Sequence, residues 1–195
     1  HMEDGRLGLA VADVAGKGRG AALLMATAKA VVPLLAPSAD PAATLSALNA
    51  MLRKELGPRE FVALAFAVYD AATGELRLSN AGLPDPYLLR PGEAPRALSC
   101  PGPRIPLGLR AEVPRETLRV DLAPGDRVVF FSDGLPEAPR PGGEPLGYEA
   151  LEGLLHLPGV SPGEAVELLL SRVAAAAGAS PEDDATVLLL ERRPA

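Results

Sequence analysis

Phe61-Val62-Ala63-Leu64-Ala65-Phe66-Ala67-Val68-Tyr69 is followed at once by Asp70-Ala71-Ala72-Thr73-Gly74 and then by Glu75-Leu76-Arg77-Leu78-Ser79. The first stretch is an apolar run ending in an aromatic residue and reads as a strand. The Asp…Thr-Gly segment supplies turn chemistry, and the third stretch returns as a second strand, so the whole reads as an antiparallel hairpin. Moving outward, Tyr87 to Arg90 is a third short strand, Thr117 to Leu122 alternates polar and apolar residues, and Arg127 to Ser132 reads as a central strand. The Pro- and Gly-rich stretch from Pro91 to Pro114 predicts a long ordered loop of a kind that often carries function. On the N-terminal side, residues 7–12 read as a buried strand closed by the turn Asp13 to Gly18, and an Ala-rich helix is expected from about Ala21 to Leu35. Asp40 is placed to cap a second helix with Pro41 at its first position and Leu45, Leu48, Met51 and Leu52 on one face. Ser161-Pro162-Gly163-Glu164 is a capping box opening a helix to about Ala177, and Thr186 to Leu190 reads as a final buried strand. Helices, then antiparallel strands, then helices again define an α+β fold rather than a parallel doubly wound sheet.

The chain has 195 residues, 48% of them hydrophobic and 23% charged, which fits one globular domain, residues 3–195. His1-Met2 reads as the remnant of an expression tag. The net charge of −6 and the scattered basic residues argue against nucleic acid or an anionic membrane as partner. No apolar run is long enough to span a bilayer and no signal peptide is visible. The single cysteine, Cys100, cannot close an internal disulfide, and a cytoplasmic location is expected.

Three aspartates fall where apolar strands give way to turns. Asp13 ends the first strand, Asp133 ends Val128-Val129-Phe130-Phe131-Ser132 and precedes Gly134, and Asp183, with Asp184 beside it, opens the last strand. Taken singly, each is an ordinary turn residue. If they converge at one rim, repulsion between two carboxylates about 4 Å apart is of order 4 kcal/mol at an effective dielectric near 20. A cation relieves this, and an all-oxygen carboxylate site selects Mg²⁺ or Mn²⁺. Lys17 lies in a Gly-rich turn before a helix, but a P-loop needs Gly at position 11 and Ser or Thr at position 18, where the chain has Val11 and Gly18. His156 reads as a packed or surface histidine on a short helix, Cys100 as structural or incidental, and Arg104 and Arg140 as loop arginines.

The order of motifs resembles that of the SpoIIE-like branch of the metal-dependent protein phosphatases (PPM, protein phosphatase 2C-like). Val11 to Gly18 followed by Ala21-Ala22-Leu23-Leu24-Met25 is similar to that family's G-D-V-S-G-K-G…A-A-L-L-M signature. Phe61 to Leu64, Asn80-Ala81-Gly82 with Tyr87 to Arg90, and Pro106-Leu107-Gly108 resemble its F-V-T-L, N-A-G-H-x-P-x-L-L-R and P-L-G segments. Leu122 to Asp126 through Phe131-Ser132-Asp133-Gly134-Leu135-Pro136-Glu137-Ala138 resembles L-x-P-G-D…Y-T-D-G-L-x-E-A, and Asp183-Asp184-Ala185-Thr186 matches the closing D-D-x-T.

The resemblance implies a four-layer α/β/β/α sandwich of two antiparallel sheets with helices outside, and a centre for two Mn²⁺ or Mg²⁺ ions. Carried over by position, Asp13 bridges the ions, the Val14 carbonyl completes one shell, Asp133 and Asp183 bind the second ion, and Asp184 supports them. The implied reaction is hydrolysis of phosphoserine or phosphothreonine on a regulatory protein, such as an anti-sigma-factor antagonist, by water activated between two metals. The alternative is a non-catalytic partner-binding module on the same fold. The family places one further metal-binding aspartate in a G-G-D strand upstream of position 7. The expectation is therefore a domain truncated at its front, an incomplete metal centre, a sheet edge open to homodimerisation, and a sensory module upstream in a longer protein. Ala12, Ala15 and Leu83 depart from the signature's Gly, Ser and His. At the position of Ala15 more distant relatives carry a His suggested as general acid; it is absent here, as in the bacterial branch generally, so the resemblance implies that water protonates the leaving group.

Overall fold

Val62–Tyr69 is buried at every position, so this apolar run forms an interior strand rather than an amphipathic edge. A computed structural model of the chain describes residues 1–16, 18–35, 40–57, 60–157, 159–178 and 184–193. In chain order the elements are β1 (Leu7–Val14), α1 (Arg19–Leu35), α2 (Pro41–Leu52), β2 (Val62–Tyr69), β3 (Glu75–Ala81), β4 (Tyr87–Leu89), β5 (Arg96–Ala97), β6 (Leu118–Asp121), β7 (Arg127–Phe131), α3 (Tyr148–Leu154), α4 (Pro162–Ala177) and β8 (Val187–Glu191). They form two antiparallel four-stranded sheets, ordered β1-β2-β3-β6 and β5-β4-β7-β8. The fold is α+β, as the hairpin implied. Among the described residues no helix is long and apolar enough to cross a membrane.

The chain divides into two compact units, His1–Leu83 with Ser99–Leu122 and Pro84–Leu98 with Ala123–Ala195. In the first, Val62, Leu64, Phe66 and Val68, which share one face of β2, pack with Val32 of α1 and with Leu45, Leu48 and Leu52 of α2. Each of these α2 leucines is at most 1% exposed, and burying a leucine fully is worth about 1.5–3 kcal/mol. Met51, expected on the same face, is instead 47% exposed. It neighbours Leu52 in sequence and is rotated off the stripe that Leu45, Leu48 and Leu52 form at helical spacing. Asp40 does stand at the N-cap of α2, but its carboxylate makes no cap bond. Thr117 caps in its place: its Oγ1 accepts the Ala42 N–H at 3.2 Å and donates to Asp40. One orphan helix donor is thus satisfied by a residue far along the chain.

The Pro-rich stretch is ordered from inside. Buried Asn49 of α2 donates to the Arg110 and Ala111 carbonyls, both at 3.0 Å, and accepts the Gly108 N–H at 2.8 Å. Leu107 exchanges backbone bonds with Val62 at 3.0 and 2.8 Å. Gly82 has φ +97, and a Cβ there would lie 2.5 Å from Pro106 Cγ. The N-A-G turn and the P-L-G loop therefore touch, and only glycine permits it.

In the second unit, Val129 and Phe131 of β7 pack with Leu151 of α3 and with Leu169 and Val173 of α4. Tyr87 and Phe131 stack with ring centroids 6.1 Å apart. The capping box at Ser161 and Glu164 forms as expected. β7 takes an interior place between β4 and β8. The last strand differs from expectation: it begins at Val187, and only Leu190 in it is buried, because β8 lies at a sheet edge.

Candidate metal-site residues

Asp13 lies within β1 rather than after it. The strand continues one residue further, pairing Asp13 with Ala63 and Val14 with Val62, and the Ala15 N–H donates to the Phe61 carbonyl at 3.0 Å. A strand fixes backbone direction residue by residue, so the half-buried Asp13 is held by the β1–β2 register and not by a loose turn. Asp183 and Lys17 lie outside the described residues.

In the other unit, β7 ends at Phe131 and the chain turns through residues 133–137, closed by the Glu137 N–H on the Asp133 carbonyl at 2.9 Å. The segment leading into β8 is joined to this turn by three bonds. The Ser132 N–H donates to the Thr186 carbonyl at 3.1 Å, the Thr186 N–H donates to Ser132 Oγ at 3.0 Å, and Ser132 Oγ donates to the Asp184 carbonyl at 3.2 Å. Gly134 completes the junction, because any Cβ there would sit 2.6 Å from the Asp184 carbonyl oxygen. The structure thus brings the Asp184 backbone against the residues flanking Asp133. The Asp184 residue itself is exposed.

The Asp133 carboxylate is half-buried and makes no hydrogen bond or ion pair among the described residues. Earlier in the same motif, Asp126 does the opposite. It is fully buried and receives Arg90 Nε at 3.1 Å, Arg90 Nη2 at 2.7 Å and the Ala123 N–H at 2.8 Å. Burial pushes the Asp126 carboxyl up, but Arg90 and the Ala123 amide outweigh it and leave its pKa below the ordinary value. Among the described residues no three metal-ligating side chains cluster. Arg104, Arg140 and His156 are exposed, and buried Cys100 sits 3.6 Å from the Leu78 carbonyl. Sequence reasoning missed Ser132 and the Arg90–Asp126 pair. The Arg and the Pro-Gly-Asp turn were visible as motif letters, but nothing local marks them as partners.

The architecture is that of protein phosphatase 2C-type phosphatases. The SiaA-PP2C domain of Pseudomonas aeruginosa superposes with a TM-score of 0.80 at 24% identity, covering 95% of this chain and 79% of that one. The structure of the RsbU and RsbW domains of Rv1364c from Mycobacterium tuberculosis gives 0.74 at 26% identity, over 96% of this chain and 53% of that one. The PP2C phosphatase domain with a regulatory-domain fragment of SpoIIE from Bacillus subtilis gives 0.77 at 19% identity, over 95% and 54%. The chain therefore spans about half the length of two of these relatives. Two further structures of this fold contain metal: RsbX with magnesium (TM-score 0.71, 19% identity, 97% and 82% covered) and the catalytic domain of PstP with 2 manganese ions (0.65, 22%, 94% and 86%). No curated protein sequence matches the chain. The family model of stage II sporulation protein E (SpoIIE) matches residues 3–193, and the chain belongs to that family.

Proposed function

We propose that the chain hydrolyses phosphoserine or phosphothreonine on a regulatory protein, using Mn²⁺ or Mg²⁺ held by Asp13, the Val14 carbonyl, Asp133 and Asp183, with Asp184 in support. The observation that carries this reading is Asp133, a half-buried carboxylate left without a counter-charge among the described residues. A carboxylate held in place with no counter-charge beside it is open to a cation. Carboxylate and carbonyl oxygens are hard donors, so they suit the ions named. When bound, two such ions supply Lewis acidity toward the phosphoryl group and a water of lowered pKa. The chain's own part is positional: strand β1 orients Asp13, and the turn after β7 orients Asp133. Cys100 is buried and needs no role as nucleophile. The structure in which RsbU and RsbW domains occur together supports a regulatory protein as partner, and we read that partner as a phosphorylated anti-sigma-factor antagonist in the cytoplasm. The domain would then act as the output of a longer signalling protein, with a homodimer as its candidate assembly.

The test is Mn²⁺-dependent release of phosphate from a phosphoserine peptide by the wild type and by Asp133→Asn. Loss of hydrolysis in a folded Asp133→Asn variant supports the reading, and retention of full activity refutes the site. A wild type that binds the phosphopeptide yet never turns it over would favour the partner-binding alternative.

A further inference from the structure

Ser132 is 2% exposed and bridges two elements that are distant in sequence. Its hydroxyl accepts from Thr186 N–H at 3.0 Å and donates to the Asp184 carbonyl at 3.2 Å. A hydroxyl can do both at once; an alanine can do neither, so both bonds are lost together. Gly134 also lies against the Asp184 carbonyl: a Cβ there would come within 2.6 Å of its oxygen and 3.4 Å of Ala185 Cα. The residues immediately before and after Asp133 therefore both bear on the Asp184 peptide. The β7–β8 register runs from Arg127↔Glu191 to Phe131↔Val187, and the Ser132–Thr186 bonds carry it one step further toward Asp133.

We propose that Ser132, with Gly134, is a positioning residue. It sets the place of the Asp184 segment relative to the Asp133 turn, and metal affinity depends on that spacing. The proposal rests on the metal reading above and adds to it residues that need touch neither metal nor substrate. Groups that hold ligands in place typically change metal affinity about 10–100-fold when removed.

The experiment compares the wild type, Ser132→Ala, Ser132→Thr, Gly134→Ala and Asp133→Asn by calorimetric Mn²⁺ titration. Amide exchange at Thr186 and kcat and KM for a phosphoserine peptide are measured alongside. Ser132→Ala should weaken Mn²⁺ binding by about 10–100-fold and speed exchange at the Thr186 amide. Ser132→Thr, which keeps the hydroxyl, should stay within a few-fold of wild type in both. A folded Ser132→Ala that loses Thr186 protection but keeps wild-type Mn²⁺ affinity overturns the proposal and leaves Ser132 a purely structural hydroxyl. Should Ser132→Ala fail to fold, Gly134→Ala decides: it keeps the hydroxyl but presses on the Asp184 carbonyl, and unchanged affinity there is equally fatal. A wild type that binds Mn²⁺ no better than Asp133→Asn sinks the metal reading itself, and the positioning role with it.

Discussion

Asp133→Asn should cost stability only when metal is bound. The substitution keeps the shape of the side chain and removes one charge. In EDTA the wild type holds a half-buried carboxylate with no partner among the described residues, so neutralising it should leave stability within about 0.5 kcal/mol of wild type. With Mn²⁺ at 100 times its dissociation constant, a ligand that binds only the folded state adds about 2.7 kcal/mol to the wild type. At about 2–4 °C per kcal/mol for a domain of this size, that is a rise in Tm of roughly 5–11 °C. The variant should gain little of it, so the wild type melts clearly higher only in saturating Mn²⁺. Differential scanning fluorimetry in both buffers reads the effect directly, with phosphopeptide hydrolysis measured on the same samples. A variant that is clearly less stable than wild type in EDTA would show that Asp133 already has a structural partner. A full Mn²⁺ shift in the variant would show that the ion binds elsewhere.

Asp126→Asn should destabilise the fold regardless of metal. It weakens charge-assisted bonds from Arg90 and Ala123, worth about 1.5–3 kcal/mol, or roughly 3–12 °C in a thermal melt. The same carboxylate predicts an acid limb. Its folded pKa is depressed, so the unfolded chain binds the proton first and stability rises with pH between the two values. The contribution is fully present above the ordinary aspartate value of about 3.9 and is lost as pH falls through the lower folded value. Asp126→Asn should flatten that limb in acid titrations followed by circular dichroism. Gly82→Ala should cost about 1–3 kcal/mol, because it places a Cβ 2.5 Å from Pro106 Cγ at φ +97; a denaturant midpoint within error of wild type would refute the contact. His156→Gln, at an exposed position, should leave hydrolysis within a few-fold of wild type.

The sequence made the hairpin at 61–79 legible because a long apolar run, a turn segment and a second strand are all local signals. The same holds for the capping box at Ser161, whose partners are three residues apart. Readings failed where the deciding partner was distant. Thr117 caps α2 from far along the chain, and no property of Asp40 announces that its carboxylate is already engaged. Strand β5, the exposed Arg96–Ala97, has no side-chain pattern and exists through backbone bonding with β4. Asp13 reads as a strand end because Gly16 and Gly18 punctuate the residues just after it, whereas the pairing with β2 carries the strand through Val14.

The two aspartates of the stretch from Leu122 to Ala138 show what structure adds to a motif. Both stand at turns flanking β7, and as letters they are equivalent. Asp126 is buried and bound by a guanidinium and an amide, so its charge is accounted for by the fold: it closes the turn before β7 and ties it to β4 through Arg90. Asp133 is less buried and has no such partner among the described residues, although the backbone around it is held by Ser132 and Gly134. A rigid backbone around an unpaired carboxylate suits a ligand, since little ordering entropy is lost when a cation arrives. That contrast, rather than the presence of Asp-Gly in the sequence, separates the structural aspartate from the candidate for chemistry.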